Sequence, residues 1–102
     1  MHRQLISSGS PWELTVGYSR AVVVGETCTV AGTTDAGPDG RSLHPGDMAG
    51  QARAVFAIIE AALGEAGFAL SDVVRTRMFV TDIARASEVL SAHGERFREI
   101  RP

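Results

Sequence analysis

The 102-residue chain has one cysteine, one tryptophan, one tyrosine and no lysine, and each scarcity closes a class of explanation. The single cysteine, Cys28, rules out an internal disulfide and a cysteine-rich zinc site. It sits in a run of strand character and reads as a small buried hydrophobe rather than a nucleophile. All ten cationic side chains are arginine, and against twelve carboxylates they leave a net charge of −2. They are scattered, apart from Arg96, Arg98 and Arg101 at the end of a helical stretch, where cations suit the helix dipole. No stripe of them could track a phosphate backbone, so a nucleic-acid partner is not expected. His2, His44 and His93 lack ligand spacing, so no metal site is expected, and His93 reads as a packed or surface residue. The N-terminus lacks the apolar run of a signal peptide and nothing approaches a membrane span, which makes the cytoplasm the expected compartment.

What is present is ordinary for a globular protein: 44% hydrophobic and 22% charged residues. A single domain over residues 1–102 is expected. A chain of this size buries only about two-thirds of its unfolded surface, which favours a partner subunit. Ser7, Ser8, Gly9, Ser10 and Pro11 make residues 1–15 a flexible lead-in. Strand character begins near Ser19 and runs through Ala21, Val22, Val23 and Val24. It breaks at Gly25-Glu26 and resumes from Thr27 to Thr33, the pattern of a type II′ hairpin. Asp35 to Gly40 is a turn cluster, with a short extended piece around Arg41 to Leu43.

Asp47 is placed to cap a helix whose apolar residues Ala52, Val55, Phe56, Ile59, Ala62, Leu63 and Ala66 fall three and four apart, and Gly67 closes it. Val73 to Thr81 reads as a strand. Val74, Thr76, Met78 and Val80 share one face, and Arg75, Arg77 and Phe79 share the other with Val73. A second helix is expected from about Arg85 to Glu99, with Val89, Leu90, His93, Phe97 and Ile100 along one side. The order β-β-(β)-α-β-α gives an α/β (α+β) layer. It looks unfinished, because Arg101-Pro102 cannot continue the helix and more naturally opens another extended segment.

These residues resemble a known family. Trp12-Glu13, Val16-Gly17-Tyr18-Ser19-Arg20-Ala21 and Val30-Ala31-Gly32-Thr33-Thr34 look like the opening strands of Rid (YjgF-like) proteins, once called endoribonuclease L-PSP. Gln51-Ala52-Arg53, then Asp72 to Asp82, then Arg101-Pro102 continue the pattern in order and in register. The resemblance implies a chorismate-mutase-like, YjgF-like fold: a curved mixed β-sheet with two helices on one face, the final strands missing here. It implies a homotrimer with clefts between subunits. It also implies cofactor-free hydrolysis of reactive enamines and imines, such as 2-aminoacrylate, to a keto acid and ammonia.

That chemistry needs a cation for the substrate carboxylate, a group that manages protons, and donors that orient the substrate against water. The resemblance makes Tyr18 the pocket tyrosine and Gly32 the glycine past which a ligand approaches the backbone. The family's serine before that glycine is Ala31 here, and Thr33 is its candidate replacement. Ser91 falls near a polar pocket position on the second helix. The carboxylate-binding arginine and the acidic residue of the family lie beyond Pro102. Arg77, beside Phe79, is the substitute cation for an anionic ligand, unless it pairs with Asp72 or Glu60 as a structural bridge. The expected ligand is a small imino or enamino acid. Two readings stand beside the deaminase: a catalytically silent binding or interaction module on the same trimeric scaffold, and an inactive truncated member. A nuclease role has no basic groove and no evident acid/base pair to support it.

Overall fold

In the computed structural model, which describes residues 1–102, the longest element is helix α1, Met48–Glu65. It starts where the Asp47 carboxylate accepts a hydrogen bond from the Gly50 N–H at 2.9 Å, satisfying one of the free amides of the first turn. It ends at Gly67, whose φ of +85° is the left-handed geometry that glycine adopts without strain. The Phe68 N–H then reaches back to the Leu63 carbonyl at 2.8 Å and the Gly67 N–H to that of Gly64 at 3.1 Å, a Schellman closure.

Helix α2, Ala86–Phe97, follows a short 3₁₀ turn at Ile83–Arg85 and packs along α1. Met48, Ala52, Phe56 and Leu63 meet Leu70, Val89, Ala92 and Phe97 in one buried cluster. Its centre is aromatic. Phe56 meets Phe97 edge-to-face with centroids 5.6 Å apart, and the His93 ring lies 5.7 Å from Phe56 and 4.6 Å from Phe97. The outward nitrogen of His93, Nε2, is 2.9 Å from the Thr76 hydroxyl, so this histidine is a packed core residue with its polar end satisfied. Leu90, placed on the apolar side by its spacing, is instead exposed. At the rim Arg53 grips Glu95 with two hydrogen bonds and Arg96 reaches Glu60 at 3.1 Å; both pairs are solvated and add little.

Three antiparallel strands cover part of this helix pair: β1 (Arg3–Ile6), β2 (Ala21–Val24) and β3 (Thr27–Val30), in the order β1-β2-β3. The hairpin between β2 and β3 falls where the sequence puts it. Gly25 takes φ +60° and Glu26 stays at negative φ, as a type II′ turn requires. Ile6 and Ala21 face the helices and meet Ala62, with Cys28 and Val30 beside them. Burial pushes the Cys28 thiol above its ordinary value, as suits a packing residue. The N-terminal stretch is not a loose lead-in. Residues 3–6 pair with β2 in full register, and Glu13–Gly17 form a π-type turn. A four-residue strand with one buried side chain carries too little periodicity to be seen without its partner.

The strand expected from Val73 to Thr81 is the main departure. The segment is extended, and Thr76, Met78 and Val80 turn inward while Arg75, Arg77 and Phe79 are exposed. Yet from Val74 to Thr81 no backbone group is hydrogen-bonded, so it belongs to no sheet. Val74, placed on one face with Thr76, Met78 and Val80, is exposed while they turn inward, and Val73, placed with Arg75, Arg77 and Phe79, packs on the core. The Leu70–Asp72 turn delivers Val73 inward, and no neighbouring strand imposes a strict alternation beyond it.

The result is a slab of 43 × 35 × 18 Å, one helix layer and one β layer thick. Only 15 of 102 residues are buried, so stability rests on few contacts. Phe97→Ala is therefore expected to lower the unfolding free energy by about 3 kcal/mol, while Leu90→Ala on the same helix costs under about 1 kcal/mol. Urea titrations of the two variants check this; comparable losses would mean that the aromatic cluster does not hold the helices together.

Candidate functional site

On the face of the sheet turned away from the helices, β2 ends its run-in with Arg20, and the side chain does not reach solvent. It is 6% exposed. Its Nη1 donates to the Gly32 carbonyl at 2.9 Å and to the Thr33 hydroxyl at 2.7 Å, and that hydroxyl in turn donates to the Ala31 carbonyl at 2.9 Å. The guanidinium carbon stands 5.4 Å from the centre of the Tyr18 ring, a cation–π distance. Its Nε–H is buried with no acceptor. Arg20 thereby gathers Tyr18, Gly32 and Thr33, three of the residues the sequence singles out, into one group.

Glu13 is the second buried charge on this face, also 6% exposed. The Ser8 amide and hydroxyl donate to its Oε2 at 3.0 and 2.5 Å. Burial by itself would raise this carboxyl. The hydrogen bonds from Ser8 and Ser7 and the positive charge of Arg20 together outweigh it and hold the group below its ordinary value. The π-type turn that starts at Glu13 ends with the Tyr18 N–H bonded to the Glu13 carbonyl at 3.0 Å, which fixes where the tyrosine stands. Neither Glu13 nor Arg20 is singled out by sequence patterning. A charge flanking a strand reads as solvated, and only the turn folding back over it reveals the burial.

Two adjoining clefts of 320 and 600 Å³ open beside this group, sharing Leu5, Glu13, Leu14, Tyr18 and Ser19. The larger extends over Val22 and Ala31. No heavy atom lies within 4 Å of where a Gly32 side chain would begin, so the backbone there is open to an approaching molecule. The walls are shallow and mostly apolar, with Leu5 and Leu14 exposed among them.

The other sequence candidates lie apart from it. Arg77 and Phe79 are on the exposed side of the unpaired segment, the guanidinium 6.0 Å from the phenyl centre. Arg77 makes no ion pair: Glu60 is taken by Arg96, and Asp72 accepts from the Ala69 N–H at 2.9 Å. Ser91 is exposed on α2, its hydroxyl without a hydrogen bond. No group of three metal-ligating side chains converges, and no helix is long and apolar enough to cross a membrane.

A second buried carboxylate organises the loop before α1. Asp35 accepts from the Ser42 hydroxyl at 2.7 Å, from the His44 amide at 3.0 Å, and lies 3.2 Å from His44 Nδ1. Burial opposes its charge, but these hydrogen bonds and His44 prevail and hold its carboxyl low. The loop closes through a single bridge between Ala36 and Ser42, where the sequence suggests a short extended piece.

With this geometry in place, comparison with known proteins decides the relationship. The family model described as endoribonuclease L-PSP matches residues 11–102. The chain belongs to this YjgF/Rid family. The crystal structure of Rv2704 from Mycobacterium tuberculosis, described as a member of the highly conserved YjgF/YER057c/UK114 family, is similar. It is 50% identical and superposes with a TM-score of 0.87 over 99% of this chain and 79% of its own. The Yersinia pestis protein YyfA, described as belonging to the Rid family, is 26% identical with a TM-score of 0.83 over 96% of this chain and 78% of its own. An uncharacterised Streptomyces coelicolor protein is 36% identical across 95% of this chain and 72% of its own length. The fold is thus the YjgF fold, in an L-PSP family chain shorter than these relatives by a fifth or more.

Both buried carboxylates have native values below their unfolded ones. Above about pH 5.5 the stability they contribute is fully present, and it is lost as pH falls through the unfolded values and on through the lower native ones, because the unfolded chain then binds protons that the native one does not. Urea midpoints should accordingly be flat near neutrality and drop below about pH 5, with a shallower drop in Asp35→Asn and in Glu13→Gln. Equal acid slopes in wild type and both variants would show that these groups are not coupled to folding.

Proposed function

We propose that the chain is a Rid-type deaminase that hydrolyses small enamines and imines to a carbonyl acid and ammonia, acting without a cofactor. The observation that carries this reading is the group formed by Tyr18, Gly32 and Thr33 around the buried Arg20, beside an open apolar cleft, in a chain of this family.

The chemistry asks little of the protein. An enamine takes a proton at carbon and becomes an imine. Water adds to the imine carbon, and the carbon–nitrogen bond breaks as ammonia leaves with a proton, so one water is consumed and no electrons are exchanged. The Tyr18 hydroxyl has no partner within the chain and is placed to hold the water or relay a proton. The buried Arg20 supplies positive potential for an anionic substrate near the exposed Gly32 backbone. The exposed Leu5, Leu14 and Val16 support a site closed by further subunits, as in a homotrimer. The compartment we propose is the cytoplasm.

One observation favours a catalytically silent binding module instead. Ala31 stands where a hydroxyl would face the cleft, and the Thr33 hydroxyl is already committed to the Ala31 carbonyl.

Ammonia release from freshly generated 2-aminoacrylate separates the two. Tyr18→Phe keeps the ring under Arg20 and removes only the hydroxyl; it should lower kcat/KM by about 100-fold with the fold unchanged by circular dichroism. Full activity in that variant removes Tyr18 from the chemistry. No activity in folded wild type, together with saturable binding of the carbonyl acid, establishes the binding module.

A further inference from the structure

We infer that Glu13 anchors the protonated nitrogen of the substrate, so that the cleft beside Tyr18 takes a small imino acid as its iminium zwitterion. The inference rests on the deaminase reading of this cleft and names the ionic form that the cleft selects.

Glu13 is 6% exposed, yet it lines both clefts. Its two carboxylate oxygens are used differently. The Ser8 amide and hydroxyl both donate to Oε2, and no bond of comparable length reaches Oε1. Nor is Oε1 sealed in the protein: the one buried side-chain polar atom without a partner is Arg20 Nε. A carboxylate oxygen that is neither paired nor sealed, on a residue otherwise withdrawn from water, opens where that residue lines the clefts. The same turn sets the tyrosine, because the Tyr18 N–H is bonded to the Glu13 carbonyl at 3.0 Å. Anchor and hydroxyl are therefore placed together.

The charge on Glu13 is present at neutral pH. Burial opposes it, but the hydrogen bonds from Ser8 and Ser7 and the positive charge of Arg20 hold the carboxyl low. Such a group carries protons poorly near neutrality and serves as a fixed anion. A neutral imine and its iminium interconvert by one proton, and an N–H donated to a carboxylate favours the charged form. The carbon of an iminium is also the better electrophile for water. In the balance, both carbon–nitrogen bonds of the iminium break as two carbon–oxygen bonds form. The two protons of water end on nitrogen, ammonium leaves, and no electrons are exchanged. The other end of the molecule is a carboxylate, and Arg20 supplies the opposite sign beside the Tyr18 ring and Gly32. One negative and one positive group on the same face suit a ligand that carries both signs.

Acetamidinium, planar and cationic like an iminium but stable in water, is the probe, and acetamide is its neutral counterpart. Each is titrated into the 102-residue chain and into Glu13→Gln, following the backbone amide shifts of Ser8, Glu13 and Tyr18 by NMR. Glutamine keeps an oxygen for the Ser8 donors and removes the charge. Acetamidinium should bind wild type at least about 10-fold more tightly than acetamide does, and the preference should vanish in the variant. Ammonia release from 2-aminoacrylate should fall by about 100-fold in kcat/KM in the variant. Equal binding of the two probes to wild type overturns the inference without any appeal to the variant, and so do shifts confined to the neighbourhood of Asp35 and His44. Ammonia release that Glu13→Gln leaves unchanged overturns it with the deaminase reading intact. Charge-selective binding that the variant loses, in a wild type that releases no ammonia, supports the anchor and defeats the deaminase reading.

Discussion

The contact on which the rest of the structure depends is the edge-to-face meeting of Phe56 and Phe97 with His93 against both. It is the only place where α1 and α2 interlock through large rings, and both β portions of the chain rest on the surface so formed. The three-stranded sheet sits on it through Ala62, Cys28 and Val30, and the unpaired segment through Val73, Met78 and Val80. The two portions share no hydrogen bond with each other. Their relative position is therefore an indirect consequence of helix packing, transmitted through half-buried side chains. The Thr76–His93 hydrogen bond pins the segment to the centre of this contact and explains why an imidazole is used where a third phenyl ring could fit.

A second constraint governs the outer face. Two charges, Glu13 and Arg20, are almost entirely withdrawn from water at the surface of a thin slab, and both are held by short local segments rather than by the core. Buried charges are costly unless their hydrogen bonds are met, so the Ser8 donors and the Gly32 and Thr33 acceptors are requirements of the fold. Meeting them fixes the turn that carries Tyr18 and the backbone exposed at Gly32. The candidate site is thus built by electrostatic satisfaction, with little help from apolar packing.

The parts of this arrangement that were legible in the sequence are those set by local rules. Asp47 and Gly67 bracket α1, and Gly25-Glu26 makes the hairpin, because a cap, a positive φ and a turn type are each chosen within a few residues. The resemblance likewise led to Tyr18, Gly32 and Thr33. What the sequence left hidden depends on distant partners. Residues 3–6 become a strand only beside Ala21–Val24, and Arg20 becomes a buried hub only when residues 13–17 fold over it. Val73 to Thr81 has the composition of a strand and lacks the ladder, since pairing is a property of two segments and composition reports on one. Arg77 and Phe79 follow that segment outward, which is why they stand apart from Tyr18.

The two faces of the β layer differ in kind. On the inner face Ile6, Ala21, Cys28 and Val30 are already met by the helices. On the outer side Leu5, Leu14 and Tyr18 are exposed beside the clefts, while the backbone of β1 and β2 beneath them is paired. Such a face is satisfied by another apolar surface laid against it, with no demand on that surface's secondary structure. The apolar surface left to solvent and the two buried charges therefore lie on the same side of the sheet, and whatever covers the one also shields the other from water.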